Sequence, residues 1–396
     1  MPLIIAIYNP VCGHGNAKLF FDEHVLPLLS KHGKIPVKVI PTERPGHAGQ
    51  IIADFLEFTQ GEVIVVLGSG DGTLHEIINH FSTEMLPLPI PKLHFVLVPC
   101  GTANALYSSL FPPNDQQDNT SYQLQSICSF INSAPETPLT LAISTLSSPP
   151  GAKKHPTVAV SSVLASTALH ASILRDSETL RNELPGIERD RFKIAAQKNS
   201  GKWYNSYVKL LPASGAGRVQ MYDPATKTFI HHLESDDNDP IVEVDGPFAY
   251  FLSTVNVDRL EPAFRITPLA RAIPPVEASC DVILLRPLRD PSLSWDNADA
   301  RQAFVAKLWA VLGAAYQDGT HIDLRYNNDG EIVTGGKGPT VVEYIRCGGW
   351  EWIPDEMDKD AHLLCSDGAI FQIEKGGHAV CSVATPNNNG FVVYAS

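Results

Sequence analysis

The chain has no run approaching the roughly 18 apolar residues that a membrane-spanning helix requires. It has no basic excess either: 30 Lys and Arg stand against 43 Asp and Glu, a formal net charge of −13. That balance excludes an ordinary nucleic-acid binder, which needs a positive footprint, and opposes broad attraction to anionic membranes. It leaves room for a local basic patch around an anionic ligand. The seven cysteines are odd in number and scattered, with no C-x-x-C, so neither a disulfide framework nor a zinc ribbon is indicated, and reduced thiols are expected. The opening residues Met1 to Ile7 lack the basic flank and cleavage site of a signal peptide and read as a buried strand. The expectation is a cytoplasmic protein. No internal repeat is present. What is present is 396 residues, 44% hydrophobic and 18% charged, enough for two or three globular domains.

The first third alternates strand and helix signals. Strands are expected at Leu3–Tyr8, Val37–Ile40, Val63–Leu67 and Phe95–Val98, and helices at Ala17–Leu29, His47–Phe58, Leu74–Phe81 and Ala103–Leu110. That order predicts a parallel sheet covered by helices on both faces. A short helix is expected over Gln123–Ile131. From Leu139 the pattern changes to strand-like runs separated by Gly, Pro and Asp turns, at 140–146, 158–163, 241–244, 250–254, 282–285, 341–344, 369–373 and 379–383. This predicts a β-sandwich or barrel, interrupted by a helix including Asp176–Asn182 and another at Asp299–Tyr316. Leu233–Pro240 and Asn327–Pro339 read as exposed loops, His231-His232 as part of a loop, and Trp350 and Trp352 as core. The domains expected are residues 1–138 and 139–396.

Three glycine turns each lie between an expected strand and an expected helix: Asn9-Pro10-Val11-Cys12-Gly13-His14-Gly15, Gly68-Ser69-Gly70-Asp71-Gly72-Thr73, and Pro99-Cys100-Gly101-Thr102-Ala103-Asn104. All fall at the carboxyl ends of strands, where open α/β sheets bind ligands. Glycine lets backbone approach a phosphate closely, and helix N-termini offer N–H groups. None is a P-loop, because no G-x-x-x-x-G-K-[ST] occurs. Asp71, set among glycines, would repel a phosphate unless a metal lies between them or it takes a proton from a substrate hydroxyl. As a helix cap it would have a structural task instead. His75-Glu76-Ile77-Ile78-Asn79-His80 is not a zinc-protease motif, since the position that must hold the second histidine is Asn79. Ser161-Ser162 has no G-x-S-x-G setting.

Ser69-Gly70-Asp71-Gly72-Thr73-Leu74-His75-Glu76 resembles the signature of the diacylglycerol kinase catalytic-domain superfamily, in the manner of sphingosine (long-chain base) kinases. Asn9-Pro10-x-x-Gly13, Thr42-Glu43-Arg44-Pro45-Gly46-His47-Ala48 and Pro99 to Ala105 resemble its other nucleotide-loop motifs, in the same order. More weakly, His170 to Ala196, Phe251 to Pro287 and Leu363-Leu364-Cys365-Ser366-Asp367-Gly368-Ala369 are similar to later segments of that family. The resemblance implies an N-terminal α/β domain like that of NAD kinases and phosphofructokinases, then a C-terminal β-sandwich, with the active site in the cleft between them. It implies ATP held by Asn9, Pro10, Val11, Thr42, Glu43, Arg44, Pro45, Gly46, Gly70, Gly72, Thr73, Glu76, Gly101, Thr102, Ala103 and Asp367. Asp71 would be the general base, Ser69 would lie beside the substrate, and Arg181 and Arg191 match arginines that contact phosphates. Mg²⁺ would bridge the ATP phosphates with few direct protein ligands.

Three positions depart from the family pattern. Cys12 stands where serine or glycine is usual. Ala369 replaces the glutamate of a final Asp-Gly-Glu turn. Leu174 occupies the place of an aspartate that pairs with a sphingoid amine; Asp176, two residues on, is the candidate substitute, and without one a neutral substrate is implied. The expectation is an ATP-dependent kinase acting on a primary lipid hydroxyl, of a sphingoid long-chain base first and of an acylglycerol or ceramide second. A nucleotide- or lipid-binding protein without turnover is the alternative of a different class, resting on Ala369. A lipid substrate implies transient contact with a membrane surface through an apolar loop.

Overall fold

The computed structural model describes residues 2–57, 62–83, 92–114, 116–149, 151, 154–181, 183–184, 188–385 and 390–395. It divides into two compact units. The first is Met1–Leu141 with Arg259–Pro262 and Thr385–Ser396, and the second is Ala142–Asp258 with Ala263–Ala384. The sequence reading assigned everything after residue 138 to a second domain and did not anticipate that the last segment rejoins the first.

The first unit is built on one sheet. Strands β1 (Leu3–Tyr8), β2 (Lys38–Pro41), β3 (Val63–Ser69) and β4 (Leu93–Pro99) run parallel in the order β2-β1-β3-β4. β3 and β4 are buried at every position, and β1 at all but its first. That is why they read as continuous apolar runs instead of alternating ones: helices cover both faces. The sheet continues beyond β4 with Phe391–Tyr394, parallel to it, and then Glu136–Pro138, antiparallel.

The helix expected at Ala17–Leu29 spans Ala17–Lys31, with a π-helical turn at Phe21–Val25 inside it. The wider turn sits next to Pro27, which lacks an N–H and crowds the carbonyl four residues back. His47–Leu56 is helical as its apolar spacing requires, burying Ala48, Ile51 and Ile52; Phe58, the expected end, lies outside the described residues. Helix Asp71–Thr83 begins three residues earlier than expected, and Ala105–Leu110 two residues later.

The second unit is mainly β. One antiparallel sheet orders Thr228–His231, Gln220–Asp223, Glu343–Cys347, Cys280–Leu285, Tyr250–Thr254, Leu164–Thr167, Leu363–Ser366 and Ala369–Gln372. The other orders Val242–Asp245, Ser206–Leu211, Gly349–Pro354, His378–Ala384, Leu141–Ser147 and Thr157–Ser161. Their inner faces meet at Phe251, whose ring lies edge-on to Trp350 at 4.9 Å and Trp352 at 5.2 Å. Both tryptophans are fully buried, and their indole N–H groups donate to Ser253 Oγ and the Ala361 carbonyl. Helix Ala298–Ala315 buries Phe304, Leu308 and Val311, the expected stripe.

Two loop expectations fail. His231 ends a strand, and Asn327–Pro339 contains Ile332–Thr334, which pairs with Leu324–Tyr326. The turn there is organised by Asn327 Oδ1, which accepts from the Asp329 and Glu331 N–H groups, with Gly330 at positive φ. The helix expected to include Asp176–Asn182 runs Ala168–Thr179, and Asn182 lies outside the described residues.

Candidate active site

Parallel register brings the three glycine turns to one end of the first sheet. Tyr8 pairs with Gly68 and Ser69 with Pro99, so β1, β3 and β4 end side by side. In the first turn the Val11 N–H donates to Asn9 Oδ1 at 3.1 Å, and the Asn9 N–H continues the ladder to the Gly68 carbonyl at 2.9 Å. Pro10 is half-buried and Val11 is 82% exposed. Gly13 has φ +53° and lies so close to the third turn that a Cβ would overlap the Cys100 carbonyl oxygen. The Cys12 thiol donates to the Asn9 carbonyl at 3.0 Å; a hydrogen bond with Cys100 holds it below its ordinary pKa and pushes that of Cys100 up.

The second and third turns touch through backbone. A Cβ on Gly101 would overlap Gly70 Cα and stand 2.9 Å from Gly70 N. The third turn is closed by Asn104, whose Oδ1 accepts from the Gly101 N–H at 3.0 Å while its Nδ2 donates to the Gly101 carbonyl at 2.7 Å. Asn104 has φ +52°, a left-handed conformation that asparagine tolerates better than most residues. The third-turn motif alone assigns Asn104 no role; its signal in the sequence is the Gly-x-x-Asn spacing just before a helix.

Asp71 is the first residue of its helix, yet it caps another. Its Oδ2 accepts from the Ala105 N–H at 2.7 Å and its Oδ1 from the Leu106 N–H at 3.1 Å. The carboxylate thus ties the second turn to the helix that follows the third. Thr73 is buried, its N–H 3.3 Å from the Gly70 carbonyl, whereas Gly72 is exposed. Buried Ser69 donates from Oγ to the Gly70 carbonyl at 3.0 Å. Ser69, Gly70, Asp71, Pro99 and Asn104 line a crevice of about 20 Å³, room for one water-sized group.

The Thr42–Gly46 turn joins the same end. The Thr42 N–H donates to the Tyr8 carbonyl at 2.9 Å, and Glu76 Oε2 accepts from the Gly46 N–H at 2.8 Å. Gly46 has φ +74°. The Glu43 N–H donates to His47 Nδ1 at 3.0 Å, and Arg44 Nη2 reaches Gln50 Oε1 at 3.4 Å. Glu43, Arg44, Pro45 and Thr102 are exposed and Ala103 half-buried.

The remaining expected residues lie in the second unit, where two carboxylates are already engaged. Asp367 forms an Asp-Gly hairpin turn with positive φ at both residues, +46° and +98°. Its oxygens accept from the N–H groups of Ser162 (2.6 Å), Val163 (2.9 Å) and Leu164 (2.7 Å). Asp367, expected on the nucleotide, fills a nest of three consecutive backbone donors. Asp176, expected on the lipid, is 6% exposed and contacts Arg175 Nε at 2.7 Å, Lys198 Nζ at 2.9 Å and Asn199 Nδ2 at 2.9 Å. Burial pushes its carboxyl upward, but bonds from Arg175, Asn199 and Lys198 outweigh that and hold it down at about 2. Arg181 is exposed and paired with Glu178 at 3.0 Å. Arg191 is buried and donates to the Leu184 carbonyl at 2.8 Å. Among the described residues, no three His, Cys, Asp or Glu side chains gather as a cation cage.

Gly101→Ala is expected to force the second and third turns apart, because two of the three atoms it would crowd, Gly70 Cα and N, are backbone and cannot swing away, the third being Asn104 Oδ1. Overpacking of this kind costs about 1–3 kcal/mol. The measurements are thermal unfolding and ATP titration: a modest drop in melting temperature with loss of nucleotide binding is expected, and unchanged binding would contradict the role given to this contact.

Comparison with known proteins finds likeness in the first third of the chain. The model of the diacylglycerol kinase catalytic domain matches residues 3–131. The chain is 34% identical over 105 residues to human sphingosine kinase 2, covering 26% of this chain and 16% of that one. It is 29% identical over 128 residues to human sphingosine kinase 1, 32% and 33% of the two chains. With the mitochondrial acylglycerol kinase of Xenopus laevis it shares 26% over 109 residues, 28% and 24% of the two. The matched stretches are thus a third or less of each relative's own length. A solved Bacillus anthracis str. Sterne protein described as a candidate diacylglycerol kinase has the same fold, with a TM-score of 0.53 at 14% identity over 100% of this chain and 95% of that one. The likeness to the diacylglycerol kinase catalytic domain lies in residues 3–131, the first third of the chain.

Proposed function

We propose that the protein is a lipid kinase that transfers the terminal phosphoryl group of ATP to the hydroxyl of a lipid alcohol. The observation that carries this reading is the backbone contact between Gly70 and Gly101 with Asp71 lining the crevice beside it. Three turns with little side-chain bulk, gathered at the carboxyl end of a parallel sheet, form a surface that nucleotide phosphates can approach closely. The first and third turns and the Thr42–Gly46 turn would hold ATP. The Glu76 bond to Gly46 fixes the last of these against the helix that carries Asp71.

Phosphoryl transfer passes through a loose transition state, so positioning and charge neutralisation matter more than a strong base. A carboxylate with donors on both oxygens is a weak base. Asp71 therefore suits a late acceptance of the hydroxyl proton, after the phosphoryl group has begun to leave. Its bonds to Ala105 and Leu106 fix its orientation beside the crevice. Mg²⁺ would supply charge neutralisation at the phosphates. Among the described residues, the donor set fits a cation carried by nucleotide and water and does not fit one caged by protein carboxylates.

The substrate reading turns on Asp176. The matched domain ends at residue 131, so the likeness to sphingosine kinases bears on the nucleotide part. Asp176, the candidate partner for a sphingoid ammonium, already holds Arg175, Lys198 and Asn199. An incoming amine would have to displace Lys198. This favours an uncharged acyl alcohol, such as an acylglycerol, over the sphingoid base expected from the motif pattern. A lipid panel with labelled ATP is the test: label is expected on acylglycerol in preference to sphinganine. Preference for sphinganine would reverse the substrate choice, and label on no lipid would sink the kinase reading.

A further inference from the structure

We propose that the open edge of the first sheet, strand β2 with the turn leading into it, docks on an anionic lipid bilayer. Among the described residues, β2 ends the sheet and pairs only with β1. Four of the six exposed large apolar side chains of this unit, among the described residues, cluster here: Leu3, Ile35, Val37 and Val39, from 38% to 65% exposed. Beside them a groove of about 520 Å³ opens between β2 and helix His47–Leu56, apolar apart from Lys38 and Asp54. In a chain of net charge −13, the stretch from His24 to Thr42 holds no Asp or Glu and carries Lys31, Lys34 and Lys38. Lys31 and Lys38 are exposed, while the Lys34 ammonium lies over the Phe130 ring at 4.9 Å.

The combination selects the partner. An open apolar strand edge by itself invites a second copy, but lysine on the edge opposes that pairing by bringing like charges together. A nucleic acid would satisfy the lysines and leave the aliphatic side chains in water. An anionic bilayer satisfies both, the lysines at the headgroups and Ile35 and Val37 in the headgroup–acyl boundary. The net acidity of the chain opposes contact spread over its whole surface. An apolar anchor alone was the expectation from sequence; the edge adds charge to it. The inference needs only this surface and not the nucleotide site, because vesicle binding is measured without ATP.

The experiment is co-sedimentation of the full chain with phosphatidylcholine vesicles, with or without roughly a third phosphatidylserine. The wild type is expected to bind the phosphatidylserine vesicles more tightly, with binding that weakens as salt is raised. Lys31→Glu/Lys38→Glu should lower that binding by roughly 25-fold or more, at about fivefold per lysine. Ile35→Ser/Val37→Ser should lower binding to both vesicle types. All four positions are exposed, so thermal unfolding should be unchanged, and it is measured as the control. Wild-type binding by both folded variants would overturn the proposal. So would a concentration-dependent dimer abolished by Ile35→Ser/Val37→Ser, which would make this edge a contact between copies.

Discussion

Asp71→Asn is expected to lower turnover by a factor of about 10²–10⁴, the usual contribution of a positioned general base, while ATP still binds. The change removes charge from the crevice and leaves one acceptor where two backbone donors, Ala105 and Leu106, now find one each. A structural cost of about 1–2 kcal/mol follows from the donor left unmatched. The two effects separate experimentally. Turnover is measured at saturating ATP, nucleotide affinity by titration calorimetry, and fold by thermal melting. A variant that binds ATP, melts within a few degrees of wild type and turns over within tenfold of it would remove Asp71 from the chemistry and leave it as a brace between two turns.

Asp367→Ala should act on stability. Three consecutive buried donors, from Ser162, Val163 and Leu164, would lose their acceptor together. At about 1–3 kcal/mol for each buried group left unsatisfied, and with partial relief by water, the loss is about 3–6 kcal/mol. Against a total stability of about 5–15 kcal/mol, many molecules of the variant would be unfolded at physiological temperature. Asp367→Asn should be milder, because asparagine keeps one oxygen acceptor and suits the left-handed turn. Urea unfolding of the two variants measures this order. If alanine instead weakened ATP binding with stability intact, Asp367 would be a nucleotide ligand, as the motif resemblance implied.

The legible parts of the fold were those whose signal is local. β1, β3 and β4 are covered on both faces, so each reads as an unbroken apolar run with a glycine turn after it. From that, the sheet direction and the end that carries the turns follow. Phe391–Tyr394 was invisible for the opposite reason. It is a short apolar run like any sandwich strand, and nothing within it tells which sheet it joins; only pairing with β4 does. Glu136–Pro138 escaped because a three-residue edge strand between prolines has the composition of a loop.

At the site, the residue types named in the three turns were right for turns, since glycine and asparagine report backbone conformation directly. Carboxylate roles were harder. Asp-Gly at 367–368 fits a hairpin turn as well as a ligand motif, and its three backbone partners lie some 200 residues away in sequence. The partners of Asp176 are nearer: Arg175 adjoins it, and Lys198 and Asn199 stand on the next helix. Their convergence is still a matter of how two helices pack, which no periodicity states. Asp71 shows the limit from the other side. The sequence weighed a cap on its own helix against a catalytic base, and the structure gives it a cap on the neighbouring one.

The return of Phe391–Tyr394 to the first sheet bears on how the chain matures. On a ribosome the early strands emerge first, but the flank of β4 stays open until a segment about 300 residues later is made. At about 5–20 residues per second that interval is roughly fifteen seconds to a minute, during which a long apolar strand lacks its neighbour. The nucleotide-type unit therefore cannot mature in simple N-to-C order. Its completion waits for the whole β-rich unit to be synthesised in between, and until then β4 is the exposed edge that chaperones would have to shield.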